Sequence, residues 1–192
     1  MRIIFFGPPG SGKDTQANIL SKNLDIPHIS TGVVLRESSK NKDKKSIDLK
    51  YILASGNLVS DEILNDIVSK KLLTENCRKG FILDGYPRTK SQFEFFISFI
   101  NNNNIKLDLI INFRLNEEII KKRIMERSRL EKRMDDNIDI IKNRLEKYKN
   151  ETRPLISISK TKFSNILFDI EANQEISKIQ DEIINMVKNA QF

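Results

Sequence analysis

At 192 residues, 39% hydrophobic and 31% charged, the chain has the size and balance of one soluble globular domain with room for small insertions. No apolar run approaches the roughly 20 residues of a membrane-spanning helix, and the opening Met1-Arg2-Ile3-Ile4-Phe5-Phe6 breaks at Gly7-Pro8, too early for a signal-peptide core, so a cytoplasmic location is expected. The net charge of +7 suits nucleic acid or small phosphorylated molecules without choosing between them, the single Cys77 excludes an internal disulfide, and the lack of Cys or His clusters leaves no zinc site to expect.

A first apolar run over residues 2–6 predicts a buried strand, and apolar positions three and four apart over 13–23 predict a helix after it. A short strand is expected at 28–30. Residues 31–73 show no strand, only helical patterns around 47–53 and 62–73, which suggests a small helical insertion able to close over a ligand. Within it, the basic stretch 40–45 is interrupted by Asp43 and has no interleaved aromatics, so it reads as a solvated loop rather than a nucleic-acid site.

A strand at 80–83, a helix at 89–101, a polar loop at 101–104 and a strand at 107–113 follow. The rest of the chain predicts helices at 116–126 and 136–151, a strand at 165–168 and a helix at 174–188, with no internal repeat. Strands alternating with helices give an α/β fold: a parallel sheet with helices on both faces.

Gly7-Pro8-Pro9-Gly10-Ser11-Gly12-Lys13 joins the first strand to the first helix, the context a phosphate-binding loop requires. Its glycines let successive N–H groups face one anion, the helix start adds partial positive charge, and Lys13 reaches the β and γ phosphates. Asp14 follows where the general motif has Ser or Thr for magnesium, and Thr15 comes one place later, which argues against a GTPase-type metal site. The loop by itself names no acceptor.

Asp84 ends the strand at 80–83 and leads into Gly85-Tyr86-Pro87-Arg88-Thr89 and then Gln92, at the carboxyl edge where α/β sheets bind ligands. An acid there suits magnesium through its water shell, and Arg88 offers a planar fork to a phosphate. Either residue alone reads equally well as a helix cap or a surface arginine. Together with Ile29-Ser30-Thr31-Gly32 and Leu35-Arg36, they make the chain resemble the adenylate kinase family from Met1 to about Phe192.

The resemblance implies a three-layer P-loop kinase fold around a central five-stranded parallel sheet, as a single domain with a small NMP-binding insertion at about 30–59. Arg127 and Asp135 stand close in sequence, which looks like the short-lid form, with the lid at about 126–136 and no zinc in it. It implies transfer of the terminal phosphoryl group of Mg·ATP to AMP, giving two ADP, by a monomer acting on small nucleotides rather than nucleic acid or membrane. ATP would then meet Gly10, Ser11, Gly12, Lys13, Asp14 and Thr15, with Arg123, Arg127 and Ala172. AMP would meet Thr31, Arg36, Asn57, Leu58, Val59, Gly85, Tyr86, Pro87, Arg88, Gln92, Arg133 and Arg144, with Gln92 reading the adenine edge. Lys13, Arg88, Arg127, Arg133 and Arg144 would surround the transferred group, Asp84 would hold Mg²⁺ through water, and Tyr86-Pro87 would be cis.

Periodicity alone reads Arg123 and Arg144 as members of solvated, salt-bridged helices. The family usually has Gly at the place of Asp14, Asp at the place of Val33 and Gly at the place of Ile170; the first two departures suggest that Asp14 partly replaces a missing acid near magnesium. A uridylate or cytidylate kinase of the same fold is the nearest rival, but that group typically has Ala and Asn where this chain has Thr31 and Thr89. A nucleotide-regulated nucleic-acid-binding protein and a catalytically dead scaffold are rivals of other classes.

Overall fold

The computed structural model describes residues 1–38, 58–131 and 138–190. The expected helical pattern at 47–53, the basic stretch 40–45 and most of the expected insertion and lid therefore lie outside the described residues. Five strands, β1 (Arg2–Phe6), β2 (His28–Ser30), β3 (Phe81–Asp84), β4 (Leu109–Arg114) and β5 (Leu167–Glu171), form one sheet in the order β2-β3-β1-β4-β5, every pair parallel.

Side chains alternate across this sheet, and each face is buried under helices. On one face Ile4, Phe6, Phe81, Leu83 and Ile110 pack with α3 (Asp61–Leu72), α4 (Lys90–Asn102) and α7 (Arg153–Lys162) through Leu64, Val68, Phe93, Phe96 and Leu155. On the other, Ile3, Phe5, Ile82, Ile111 and Phe113 pack with α1 (Lys13–Leu24) and α8 (Ile176–Ala190) through Ala17, Leu20, Ile179 and Ile183. The remaining helices are α2 (Thr31–Ser38), α5 (Glu117–Glu131) and α6 (Ile138–Lys147); α5 and α6 share a small apolar cluster of Ile120, Ile124, Ile141 and Leu145. No described helix is long and apolar enough to cross a membrane.

The helices after β1 and β3 thus leave for opposite faces of the sheet. That divergence opens a crevice beyond the carboxyl ends of two adjacent strands, the usual ligand position in such sheets. The first loop, Asp84 and the segment after it all fall there.

Two expectations are corrected. The helix foreseen over 136–151 ends at Lys147, passes through a π-helical turn at Tyr148–Thr152, and is followed by α7, which was not foreseen. Pro154 reads as a breaker, but a missing N–H costs nothing in a helix's first turn, where it now lies. The last strand sits at Leu167–Glu171 rather than 165–168, because it is a sheet edge whose Phe168 and Asp169 are partly exposed and lack the apolar signature of its neighbours.

Ile82 is fully buried at the centre of β3. Replacing it with Ala should cost about 2–5 kcal/mol through lost burial and the cavity left behind; equilibrium urea unfolding measures this, and an unchanged midpoint would contradict the packing described.

Candidate active site

The first loop leaves β1 through Gly7 and enters α1 at Gly12, which lies in the left-handed region at φ 88° and supplies no side-chain cap. The first N–H groups of α1 are therefore not taken by a capping side chain and face the crevice, where an anion can receive them. Gly10, at φ 77°, fits against α5 so closely that an added Cβ would lie 2.8 Å from Ile124 Cγ1. Lys13 Nζ donates to the Gly7 and Pro8 carbonyls, both at 2.9 Å, and to Ser11 Oγ at 3.2 Å, so its charge is held over the loop.

Across the crevice, β3 delivers Asp84, buried, with Oδ1 lacking a hydrogen-bond partner among the described residues. The cis Tyr86-Pro87 bond turns the chain so that Arg88 comes back over the strand end, its Nε donating to the Gly85 carbonyl at 2.7 Å. Thr31 Oγ1 donates to that same carbonyl at 2.9 Å. Thr152, in the π-helical turn, donates to the Arg88 carbonyl at 2.9 Å, so a helix distortion on one side of the crevice fixes the arginine on the other.

Burial pulls the Arg88 guanidinium below its ordinary pKa; Asp84 opposes that shift, while Arg144 and Arg36 add to it. Three half-buried guanidinium groups thus line one cleft, an arrangement that gains most when a multiply charged anion arrives. Tyr86 is pushed up, first by burial and then by Asp61; its hydroxyl donates to Asn65 Oδ1 at 2.6 Å and its ring packs edge-on to Phe96.

A cleft of about 680 Å³ joins these parts. Gly10, Ser11, Gly12, Lys13, Asp14 and Thr15 line one end; Thr31, Arg36, Leu58, Val59, Gly85, Tyr86, Pro87 and Arg88 line the other; Asp84, Arg123 and Arg144 lie between or beside them. Asn57, Arg133 and the side chain of Arg127 lie outside the described residues.

Two expected residues stand apart from the cleft lining. Gln92 is fully buried, its Oε1 accepting from Arg88 N at 2.7 Å and its Nε2 donating to Asp61 Oδ1 at 2.7 Å, so it braces Arg88 and has no group turned to a base. Ala172 is enclosed in the sheet–helix core, and Gln174 and Ile176 line the cleft near it instead. Sequence reasoning missed Asp61, Tyr148 and Thr152. Asp61 carried a legible signal, an acid just after Ser60 at a helix start; the π turn carried none.

The adenylate kinase family model matches residues 5–164. This chain belongs to the adenylate kinase family. A protein named adenylate kinase from Leptospira biflexa is 38% identical over 186 residues, covering 97% of this chain and 99% of its own. One from Thermobifida fusca is 34% identical over 189 residues, covering 98% and 99%. One from Methanocella arvoryzae is 35% identical, covering 95% and 96%, over an alignment of 210 positions, more than the 192 of this chain, so that relative carries residues absent here. The family's activity is phosphoryl transfer between ATP and AMP.

Asp61 also accepts from Thr89 Oγ1 at 2.8 Å, so one carboxylate holds both Thr89 and Gln92 behind Arg88. Asp61→Ala should destabilise the fold by about 1–3 kcal/mol, since it strands the buried Gln92 amide and the half-buried Thr89 hydroxyl. A thermal or urea midpoint equal to that of the parent would show that the bracing is dispensable.

Proposed function

We propose that the chain transfers the terminal phosphoryl group of Mg·ATP to AMP by direct in-line displacement, reversibly. The reading rests above all on one observation: the phosphate loop with Lys13, the buried Asp84 and the half-buried Arg88 line a single cleft. ATP places its β and γ phosphates on the loop N–H groups and Lys13, with Arg123 against its adenine. AMP places its phosphate against Arg88 and Arg36 over Thr31 and Gly85, with Leu58, Val59 and Tyr86 enclosing the rest. Arg127, Arg133 and Arg144 complete the charge around the transferred group. Asn57 and Gln92 are assigned to the AMP side; for Gln92 this requires exchanging its bond to Asp61 for one to the base. Ala172 is assigned to the wall behind the ATP base.

An oxygen of the AMP phosphate attacks the γ phosphorus, the bond from that phosphorus to the bridging oxygen breaks, and the electron pair stays on the departing ADP. No side chain becomes a nucleophile; the protein aligns the two phosphates and stabilises the charge spread over the phosphoryl oxygens. A magnesium ion carried with ATP would neutralise phosphate charge, and Asp84 fits it, because its unpartnered Oδ1 can accept from a water of the ion's shell. Residues 30–59 would close over AMP and 126–136 over the phosphates, expelling water that could otherwise take the phosphoryl group. The setting for this reading is a cytoplasmic monomer that handles nucleotides and no nucleic acid.

Lys13→Ala and Arg88→Ala should each lower the rate of ADP formation by about 10²–10³-fold, the scale of a lost preorganised donor; losses under about tenfold in both would contradict these roles. At Gly85, φ is 78° and an added Cβ would lie 2.8 Å from Thr31 Oγ1 and 2.9 Å from Arg88 Nη2. Gly85→Ala should therefore raise KM for AMP on the order of tenfold or more while leaving KM for ATP within about twofold. Steady-state kinetics with each nucleotide varied in turn checks this, and an equal effect on both would refute the division of the cleft.

A further inference from the structure

The beginning of α1, the first residue of β2 and the end of β3 bring Asp14, His28 and Asp84 together, with one ligating atom from each within 4.8 Å of the others. His28 Nε2 lies 4.0 Å from Asp14 Oδ1 and 4.0 Å from Asp84 Oδ2, too far for a hydrogen bond to either. The His28 and Asp84 side chains each keep only 8% of their exposure, and both His28 Nε2 and Asp84 Oδ1 are buried without a hydrogen-bond partner among the described residues. On the other side of the ring, His28 Nδ1 is 3.0 Å from Asn18 Oδ1, an atom that only accepts. Nδ1–H is thus the donor on that side, and Nε2 is the ring atom that faces the two carboxylates.

One ligating atom from each of the three faces a shared point, half-shielded by the fold, where a cation can sit among them. The bond from Nδ1–H to a carbonyl oxygen is also the support that metal-ligating histidines use to fix the ring and tautomer. We propose that Asp14, His28 and Asp84 form a site for one divalent transition-metal ion of the zinc type, and that the bound ion draws Asp84 away from the phosphates and slows phosphoryl transfer. The slowing rests on the role given to Asp84 above; the binding does not.

One imidazole nitrogen with two carboxylates favours zinc or a similar first-row ion over magnesium, which prefers oxygen and water. Zinc bonds of about 2.0–2.2 Å place neighbouring ligand atoms of a tetrahedral site about 3.4 Å apart, so each carboxylate must approach Nε2 by about 0.6 Å and the two carboxylates must also draw together. Asp14 can supply its share of that movement, because its side chain is 57% exposed, while His28 and Asp84 must close theirs by small side-chain rotations; the same open flank gives an ion its entry and a water its fourth position. The expectation of no zinc site rested on the absence of Cys and His neighbours along the chain, whereas the fold assembles a mixed set from three separate elements.

Isothermal titration of Zn²⁺ into the nucleotide-free protein, as parent, His28→Gln and Asp14→Ala, tests the site. One ion per chain is expected for the parent, with affinity roughly tenfold or more weaker in each variant; equal affinity in all three would overturn the site. Asp14 is exposed at a helix start, so its variant remains readable if His28→Gln folds poorly. In a second arm, ADP formation with Mg·ATP in excess is followed at fixed free Zn²⁺. The parent should slow and His28→Gln should not, with equal rates when zinc is absent. Equal slowing in both would mean that zinc acts through the nucleotide and would overturn the coupling to Asp84. A parent without phosphoryl transfer in zinc-free buffer would instead count against the proposed function and leave the titration to judge the site.

Discussion

Concentrated positive charge at the mouth of one cleft is the constraint on which the rest of this structure depends. Arg88 is the centre of it: half-buried, pressed by Arg36 and Arg144, and relieved only in part by Asp84. Like charges held this close would spread apart on a flexible surface. Here the backbone around Arg88 is tied down on three sides, by Gln92 Oε1 at its N–H, by Thr152 at its carbonyl and by the Gly85 carbonyl at its Nε. The structural cost of gathering these groups is borne by the fold before any ligand arrives, which is what electrostatic preorganisation requires.

The sheet supplies the rigidity behind those ties. Because β1 and β3 are buried on both faces, their ends cannot shift without disturbing two apolar clusters at once. The phosphate loop and Asp84 are the residues at which those two strands stop. The helices after them diverge to opposite faces, so the polar groups of both loops are left facing one crevice. Site and core are in this sense one construction: Gly10 lies against Ile124, and Tyr86, in the cis bond, packs edge-on to Phe96 inside the core.

Much of this was legible in the sequence wherever one residue type answers one physical demand. Glycines at fixed spacing between an apolar strand and a helix announce a phosphate loop, and an acid at a strand end followed by Gly-Tyr-Pro-Arg announces the opposite wall. All five strands were foreseen, though β5 lay displaced, since an edge strand half-exposed to solvent lacks a continuous apolar run. What the sequence did not reveal depends on contacts between distant residues. The π turn at Tyr148–Thr152 is a local distortion that no periodicity encodes, yet it holds Arg88. Gln92 is a base-recognition residue by resemblance, and no spacing announces the bonds by which it links Asp61 to the backbone of Arg88. The meeting of Asp14, His28 and Asp84 belongs to the same class, because nothing in the spacing of those residues draws them together.

The account's central claim is that this cleft passes a phosphoryl group from ATP to AMP, and the most direct test is to follow ADP formation with Mg·ATP and AMP, CMP, UMP or GMP offered separately. The account predicts rapid turnover with AMP and little with the other three, with two ADP appearing for each AMP consumed. Preference for CMP or UMP would contradict the acceptor assignment, and silence with all four would contradict the catalytic reading of the cleft itself.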